Sequence, residues 1–152
     1  SADQPNAYME EILRHGESPV LLLPDGSGLP NQLVMAYDGS ASSVHAIRQF
    51  VYLFPELCDR PVTVVNLVEN PAGPMPDSGL LYEWLVQHFK GVALLQLPMT
   101  TEDFLVTWMG DKDAPWLIAG SYGRSGWSQL FAKSFVAESI RRPAYPVFLA
   151  HL

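Results

Sequence analysis

A glycine-punctuated turn followed by basic residues is the stretch of this chain whose residue types favour ligand chemistry. Gly120 and Gly123 follow a short apolar run, and Arg124 and Lys133 come after them. No carboxylate lies between positions 113 and 138, although the formal net charge of the chain is −7. Unpaired backbone N–H groups where a strand hands over to a helix bind anions. The stretch therefore predicts an anion site, with Arg124 either a phosphate contact or a solvated turn residue, and the glycines either part of that site or ordinary turn residues.

A second candidate is the aspartate that closes an earlier apolar run. Asp38 follows residues 33–37 and precedes Gly39 and Ser40. In parallel α/β sheets, ligands bind outside the carboxyl ends of the strands. We therefore expect Asp38 and Gly120 to face each other across that open edge. The alternative is that Asp38 only ends its strand, through a hydrogen bond to its own turn.

Composition limits the class of protein and the partners. The chain has 152 residues, of which 48% are hydrophobic and 16% charged, as expected of one globular domain. Its acidic balance argues against nucleic-acid binding. A single cysteine, Cys58, excludes an internal disulfide, which favours a reducing, cytoplasmic location. We expect no membrane partner, because no apolar run reaches the length of a membrane-spanning helix.

The residues that usually carry catalysis or metal binding do not form a recognisable pattern. The four histidines have no paired spacing typical of metal ligands, so we predict no metal site. Ser125, in Gly-Arg-Ser-Gly, does not match the nucleophile turn of hydrolases. Cys58 lies far from any activating group and is interpreted as an inert thiol. No catalytic residue is predicted.

Short apolar runs alternate with amphipathic stretches along the chain. The predicted strands are 19–24, 33–37, 62–68, 91–98, 115–119 and 146–150, and the predicted helices are 8–15, 42–54, 80–89, 101–109 and about 126–142. From residue 33 onward this alternation indicates an α/β fold: a doubly wound, mainly parallel five-stranded sheet with helices on both faces, plus an extra N-terminal helix–strand segment. Residues 70–79, with three prolines and two glycines, predict a loop, either a solvated connector or a lid.

The two ends of the chain resemble each other. Residues 8–25 align with 135–152 at an offset of 127 positions, with Pro-Val at the start of the apolar run in both. Chance similarity of two helix–strand endings is one explanation; the other is that residues 1–28 are the tail of a preceding copy and 29–152 a complete domain. Because a lone strand leaves its backbone groups unpaired, we predict that 19–24 pairs with 146–150.

With these residues in hand, the chain resembles the universal stress protein family over residues 33–152. The run Val-Met-Ala-Tyr-Asp-Gly-Ser at 34–40 is similar to the family's first strand and aspartate turn. The family's phosphate signature is glycine, two residues, glycine, nine residues, then glycine followed by serine or threonine. Gly120, Gly123 and Ser134 match it. The resemblance implies a Rossmann-like fold and a role in the stress response.

The resemblance also implies the ligand and the residues that hold it. Asp38 would contact the adenine or ribose side of ATP or a related adenine nucleotide, and Val65 or a neighbour would line the base pocket. Gly120, Gly123 and Ser134 would hold the phosphates, with Mg²⁺ as the accompanying ion. Any turnover would be at most slow ATP hydrolysis. The repeat at the amino terminus resembles tandem members of the family, whose two copies pair like a dimer through their last strands.

Lys133 is the main departure, since it stands where the signature has its third glycine. A glycine there allows the backbone to approach a phosphate closely, whereas lysine fills that space but adds a positive charge. Two hypotheses follow. The domain binds an adenine nucleotide, with Lys133 as a phosphate contact, or it is a dimerisation or interaction module whose phosphate site is degenerate.

Overall fold

Six strands form one sheet in the residues that the structure, a computed structural model, describes, namely 18–68, 72–75, 78–98, 107–120 and 145–150. The strands are β1 (Val20–Leu22), β2 (Gln32–Ala36), β3 (Val62–Val68), β4 (Val92–Pro98), β5 (Pro115–Gly120) and β6 (Val147–Ala150). The helices are α1 (Ala41–Leu53) and α2 (Ser78–His88), with a 3-10 turn at Pro55–Leu57 and helical residues at 107–110.

The order of the strands is β1-β6-β5-β2-β3-β4, and every neighbouring pair but one is parallel. The exception is β1, which runs antiparallel to β6 with Val20 opposite Leu149 and Leu22 opposite Val147. The chain moves from β2 outward to β3 and β4 and then returns to β5 on the other side of β2. This doubly wound, mainly parallel sheet confirms the predicted fold class.

Alternating side chains of the strands build two separate cores on the two faces of the sheet. Leu33 and Met35 of β2 pack on the face that α1 and α2 cover. Val34 and Ala36 point the other way and pack with Met109 of the helical segment at 107–110. A strand that is buried on both faces has a continuous run of apolar residues, and such runs predicted the central strands from the sequence.

Aromatic rings fasten α1 to the sheet. Phe50 is fully buried, and its ring centroid lies 5.4 Å from that of Phe148 and 6.4 Å from that of Trp116, both edge-on. Phe54, at the end of the helix, adds tilted and edge-on contacts to the same rings. Edge-to-face pairs add to the free energy of burial. These ring contacts set the position of α1 on the sheet, and therefore place the N-terminus of α1 at the carboxyl edge of the sheet.

The segment between β1 and β2 is held at the opposite, amino edge of the sheet. The indole Nε1–H of Trp116 donates to the carbonyl of Gly28 at 3.3 Å, and Asn31 Nδ2 donates to Asp113 Oδ2 at 2.8 Å. The backbone N–H of Asn31 also donates to the carbonyl of Ala114 at 3.0 Å. These hydrogen bonds therefore attach residues 24–31 to the amino edge of the sheet.

The predicted boundaries agree with the structure to within about two residues where both can be compared. β3 spans the predicted 62–68, α1 begins at Ala41 and ends before Pro55, and α2 begins two residues earlier than predicted. The predicted helices at 8–15 and about 126–142, and most of 101–109, lie outside the described residues. No helix in the described part of the chain is long and apolar enough to cross a membrane.

Candidate functional site at the carboxyl edge of the sheet

The turn after β2 is built around Asp38. Its Oδ1 accepts a hydrogen bond from the backbone N–H of Ser40 at 2.8 Å. Gly39, between them, has a φ of +81°, a conformation that residues with a Cβ rarely adopt. The hydrogen bond anticipated as the structural alternative for Asp38 is thus present. It also fixes the orientation of the carboxylate at the edge where a ligand would bind.

Ser40 caps α1. Its Oγ accepts from the backbone N–H of Ser43 at 3.1 Å, and the Ser43 hydroxyl donates back to the Ser40 carbonyl at 2.9 Å. Three serines lie at the start of this helix, Ser40, Ser42 and Ser43, and Ser40 is the one that caps it. An N-cap satisfies one of the free backbone N–H groups of the first turn. The first turn of α1 contains no acidic side chain, so its positive end is not neutralised from within the helix.

Gly120, the last residue of β5, packs against the first turn of α1. A Cβ placed on Gly120 would lie 2.9 Å from Ser42 Oγ, 3.0 Å from Ser42 O and 3.1 Å from Ser42 C. Only glycine fits this approach without moving the helix. Ser42 Oγ is buried here and has no hydrogen-bond partner within the part of the chain that the structure describes. The contact brings the end of β5 next to the Asp38 turn, on one edge of the sheet.

Val65, the residue expected at the base pocket, is a core residue. Its side chain is 0% exposed and packs on the same face as Val34 and Ala36. Its carbonyl accepts the backbone N–H of Tyr37 at 2.9 Å, as part of the ladder between β3 and the end of β2. The role predicted for Val65 towards a base stays a prediction.

Four of the predicted ligand residues lie outside the described residues: Gly123, Arg124, Lys133 and Ser134. The structure therefore brings together Asp38 and the Gly120 end of the turn, and the phosphate half of the site stays a prediction. Within the described ranges, no group of three histidine, cysteine, aspartate or glutamate side chains could hold a metal ion.

A groove between α1 and α2 opens at the same edge and was not anticipated from the sequence. It has a volume of about 560 Å³. Its lining residues are Tyr37, Gly39, Val44, Arg48, Leu80, Leu81 and Trp84. The signal was present, because Val44 and Arg48 are four residues apart on α1, as are Leu80 and Trp84 on α2, and such spacing puts side chains on one helix face. Which two helices face each other, however, is a tertiary fact.

Two known universal stress proteins are similar to this chain, one in sequence and one in structure. No protein-family model matches the chain. It is 29% identical over 143 residues to the universal stress protein Slr1230 of Synechocystis sp., covering 93% of this chain and 50% of that protein. Its structure is similar to that of a universal stress protein from Archaeoglobus fulgidus, with a TM-score of 0.64, 18% identity, and coverage of 93% of this chain and 52% of the other.

The chain thus spans about half the length of each of these two relatives. The structural similarity supports the fold, and the sequence similarity extends over nearly the whole chain. Together with the strand order and the aspartate turn described above, they make the chain similar to universal stress proteins in sequence and in fold.

Proposed function

We propose that this domain is a regulatory module of the stress response that binds an adenine nucleotide at the carboxyl edge of its sheet. The observation that carries the proposal is the contact between Gly120 and Ser42, which sets the end of β5 against the first turn of α1. The Asp38 turn and the glycine turn therefore begin at the same edge. That edge is where open parallel sheets bind ligands.

The nucleotide would be held in two parts. Asp38, oriented by its hydrogen bond from Ser40, would accept from a ribose hydroxyl or the adenine amino group. The phosphates, with Mg²⁺, would be bound by Gly123, Arg124, Lys133 and Ser134. No base or nucleophile is assigned, so the proposed role is occupancy of the site rather than turnover.

Calorimetric titration with Mg-ATP tests this proposal. Saturable heat in the micromolar to millimolar range is expected, and it should fall in Asp38→Ala. It should not fall in Lys90→Ala, which changes an exposed lysine just after the C-terminal end of α2. Absence of heat and of a thermal shift at millimolar nucleotide would refute it.

Lys133→Gly then separates the two interpretations of the altered signature. Weaker binding in this variant would mean that the lysine contacts a phosphate. Binding that is stronger, or appears only in the variant, would mean that the lysine obstructs the site. Lys112→Gly serves as the control for a general effect of removing one positive charge, since Lys112 lies at the amino edge.

A second candidate function is favoured by a separate observation, the antiparallel pairing of β1 with β6. Residues 19–24 and 146–150 share their Pro-Val start, so β1 occupies the place that the last strand of another copy would take. The domain would then act as a pairing module, within a longer tandem protein or between chains, without a nucleotide. The division into a repeat tail at 1–28 and a domain at 29–152 is part of this proposal, and the cytoplasmic location stays a prediction.

Deletion of residues 1–28 tests the pairing function. Removing β1 exposes the backbone groups of β6, and such edges pair with other chains. Light scattering after gel filtration should show a change of association state for this deletion, and none for deletion of 1–17, which keeps β1. A monomer in both cases would contradict the pairing role.

A further inference from the structure

We propose that the α1–α2 groove binds a small organic anion with an apolar body and one carboxylate, independently of any nucleotide. The groove volume of about 560 Å³ lies within the range of small-molecule sites. Its floor is apolar, since Tyr37 and Leu81 are almost completely buried there. Val44 and Trp84 form its walls.

The charge of the groove selects the ligand. Arg48 is the charged residue among those that line it. The described part of the chain contains one ion pair, Arg60 with Asp59, so Arg48 has no carboxylate partner there. No carboxylate occurs in the sequence from Gly39 to Pro55, although the chain carries 16 acidic residues. An arginine at the rim of an apolar groove binds a planar carboxylate through two parallel hydrogen bonds.

Two apolar side chains of α2 at the groove, Leu80 and Trp84, are accessible to a ligand. Leu80 is 83% exposed at the rim, in the first turn of α2. Trp84 is half-buried, and its ring contacts that of His88 one turn later, with the centroids 4.4 Å apart and the planes tilted by 48°. A ring or short aliphatic chain lying against Leu80 and Trp84 would remove their apolar surface from water.

The probe for this inference is 2-naphthoate, with the uncharged 2-naphthamide as its matched partner. Binding is followed by NMR through the indole N–H signal of Trp84, which is identified among the four tryptophans with Trp84→Phe. Saturable millimolar binding of naphthoate is expected. Arg48→Gln should weaken it about three- to fivefold, the upper range for an exposed ion pair, and leave naphthamide binding unchanged.

Two further variants complete the test. Leu80→Asn removes the exposed apolar rim and should weaken both probes, whereas Lys90→Gln removes an exposed positive charge outside the groove and should affect neither. Both side chains are exposed, so the fold should be retained. The inference is overturned if naphthoate does not bind saturably, if Arg48→Gln and Lys90→Gln have the same effect, or if saturating Mg-ATP displaces the probe.

Discussion

Replacement of Gly120 by alanine tests whether the end of β5 and the first turn of α1 are in direct contact. The added Cβ would lie 2.9–3.1 Å from three atoms of Ser42, two of which are the backbone O and C. All three distances are shorter than ordinary van der Waals contacts, so the Ser42 side chain and the first turn of α1 must move by a few tenths of an ångström. Insertion of a methyl group into a packed site costs about 1–3 kcal/mol.

An opposing effect reduces that cost. Alanine restricts the unfolded chain more than glycine does, which favours folding by about 0.4–1 kcal/mol. We therefore expect Gly120→Ala to lower the free energy of unfolding by about 1–2 kcal/mol. With a urea dependence of about 2 kcal/mol/M, the midpoint should fall by about 0.5–1 M at an unchanged slope. Circular dichroism during urea unfolding measures both quantities.

Two comparisons make the measurement specific. Gly91→Ala adds the same methyl group where nothing lies within 4 Å, so its midpoint should not fall. Adding Ser42→Ala to Gly120→Ala removes the Oγ contact but not the two backbone contacts, so less than half of the lost stability should return. If Gly120→Ala unfolds at the wild-type midpoint, β5 and α1 are not in contact there. The placement of Asp38 and Gly120 side by side at the carboxyl edge would then be wrong.

Three other predictions follow from the described contacts. Phe50→Ala should lower the free energy of unfolding by about 3–5 kcal/mol, because it empties the centre of the aromatic cluster, and urea unfolding would show this. Ser40→Ala should cost about 1 kcal/mol through loss of the α1 cap, while Ser40→Asp should cost much less. Burial raises the pKa of Tyr145 above its ordinary value, because the charged form is poorly solvated in the folded protein. The contribution of the neutral Tyr145 side chain to the free energy of unfolding is therefore complete below about pH 10, and it is lost as the pH rises further. The melting temperature should therefore fall more steeply above pH 10 in the wild type than in Tyr145→Phe, and parallel curves would contradict this.

Much of the fold could be predicted because its elements are marked locally. The strands are bounded by proline and glycine, α1 ends at Pro55, and β3 is apolar on both faces. A strand buried on both faces gives no sign of which of its side chains lie near an open edge, so the burial of Val65 in the core is known only from the structure. Three serines lie at the start of α1, and only the helix geometry identifies Ser40 as the N-cap.

Contacts between residues that are distant in the sequence could not be predicted from such local patterns. Gly120 at the end of β5 packs against Ser42 in the first turn of α1, yet a glycine that ends a strand looks the same in the sequence whether it binds a ligand or lies against a helix. The α1–α2 groove likewise depends on two helices that meet only because both pack on one face. Local patterns therefore predicted the candidate residues, and tertiary packing decides which of them are neighbours.

The close approach at Gly120 also changes how the altered phosphate signature is interpreted. The resemblance assigns Gly120 to the phosphates, yet a Cβ at this position would also press against the first turn of α1. Gly120 would be retained even in a domain that never binds a nucleotide, so its presence does not distinguish the two proposed functions. Asp38 is similar, since its bond to Ser40 gives it a structural reason to be there. The position that discriminates is Lys133, where the sequence departs from the signature. For this reason the Lys133→Gly titration separates nucleotide binding from a degenerate site better than any change at Asp38 or Gly120.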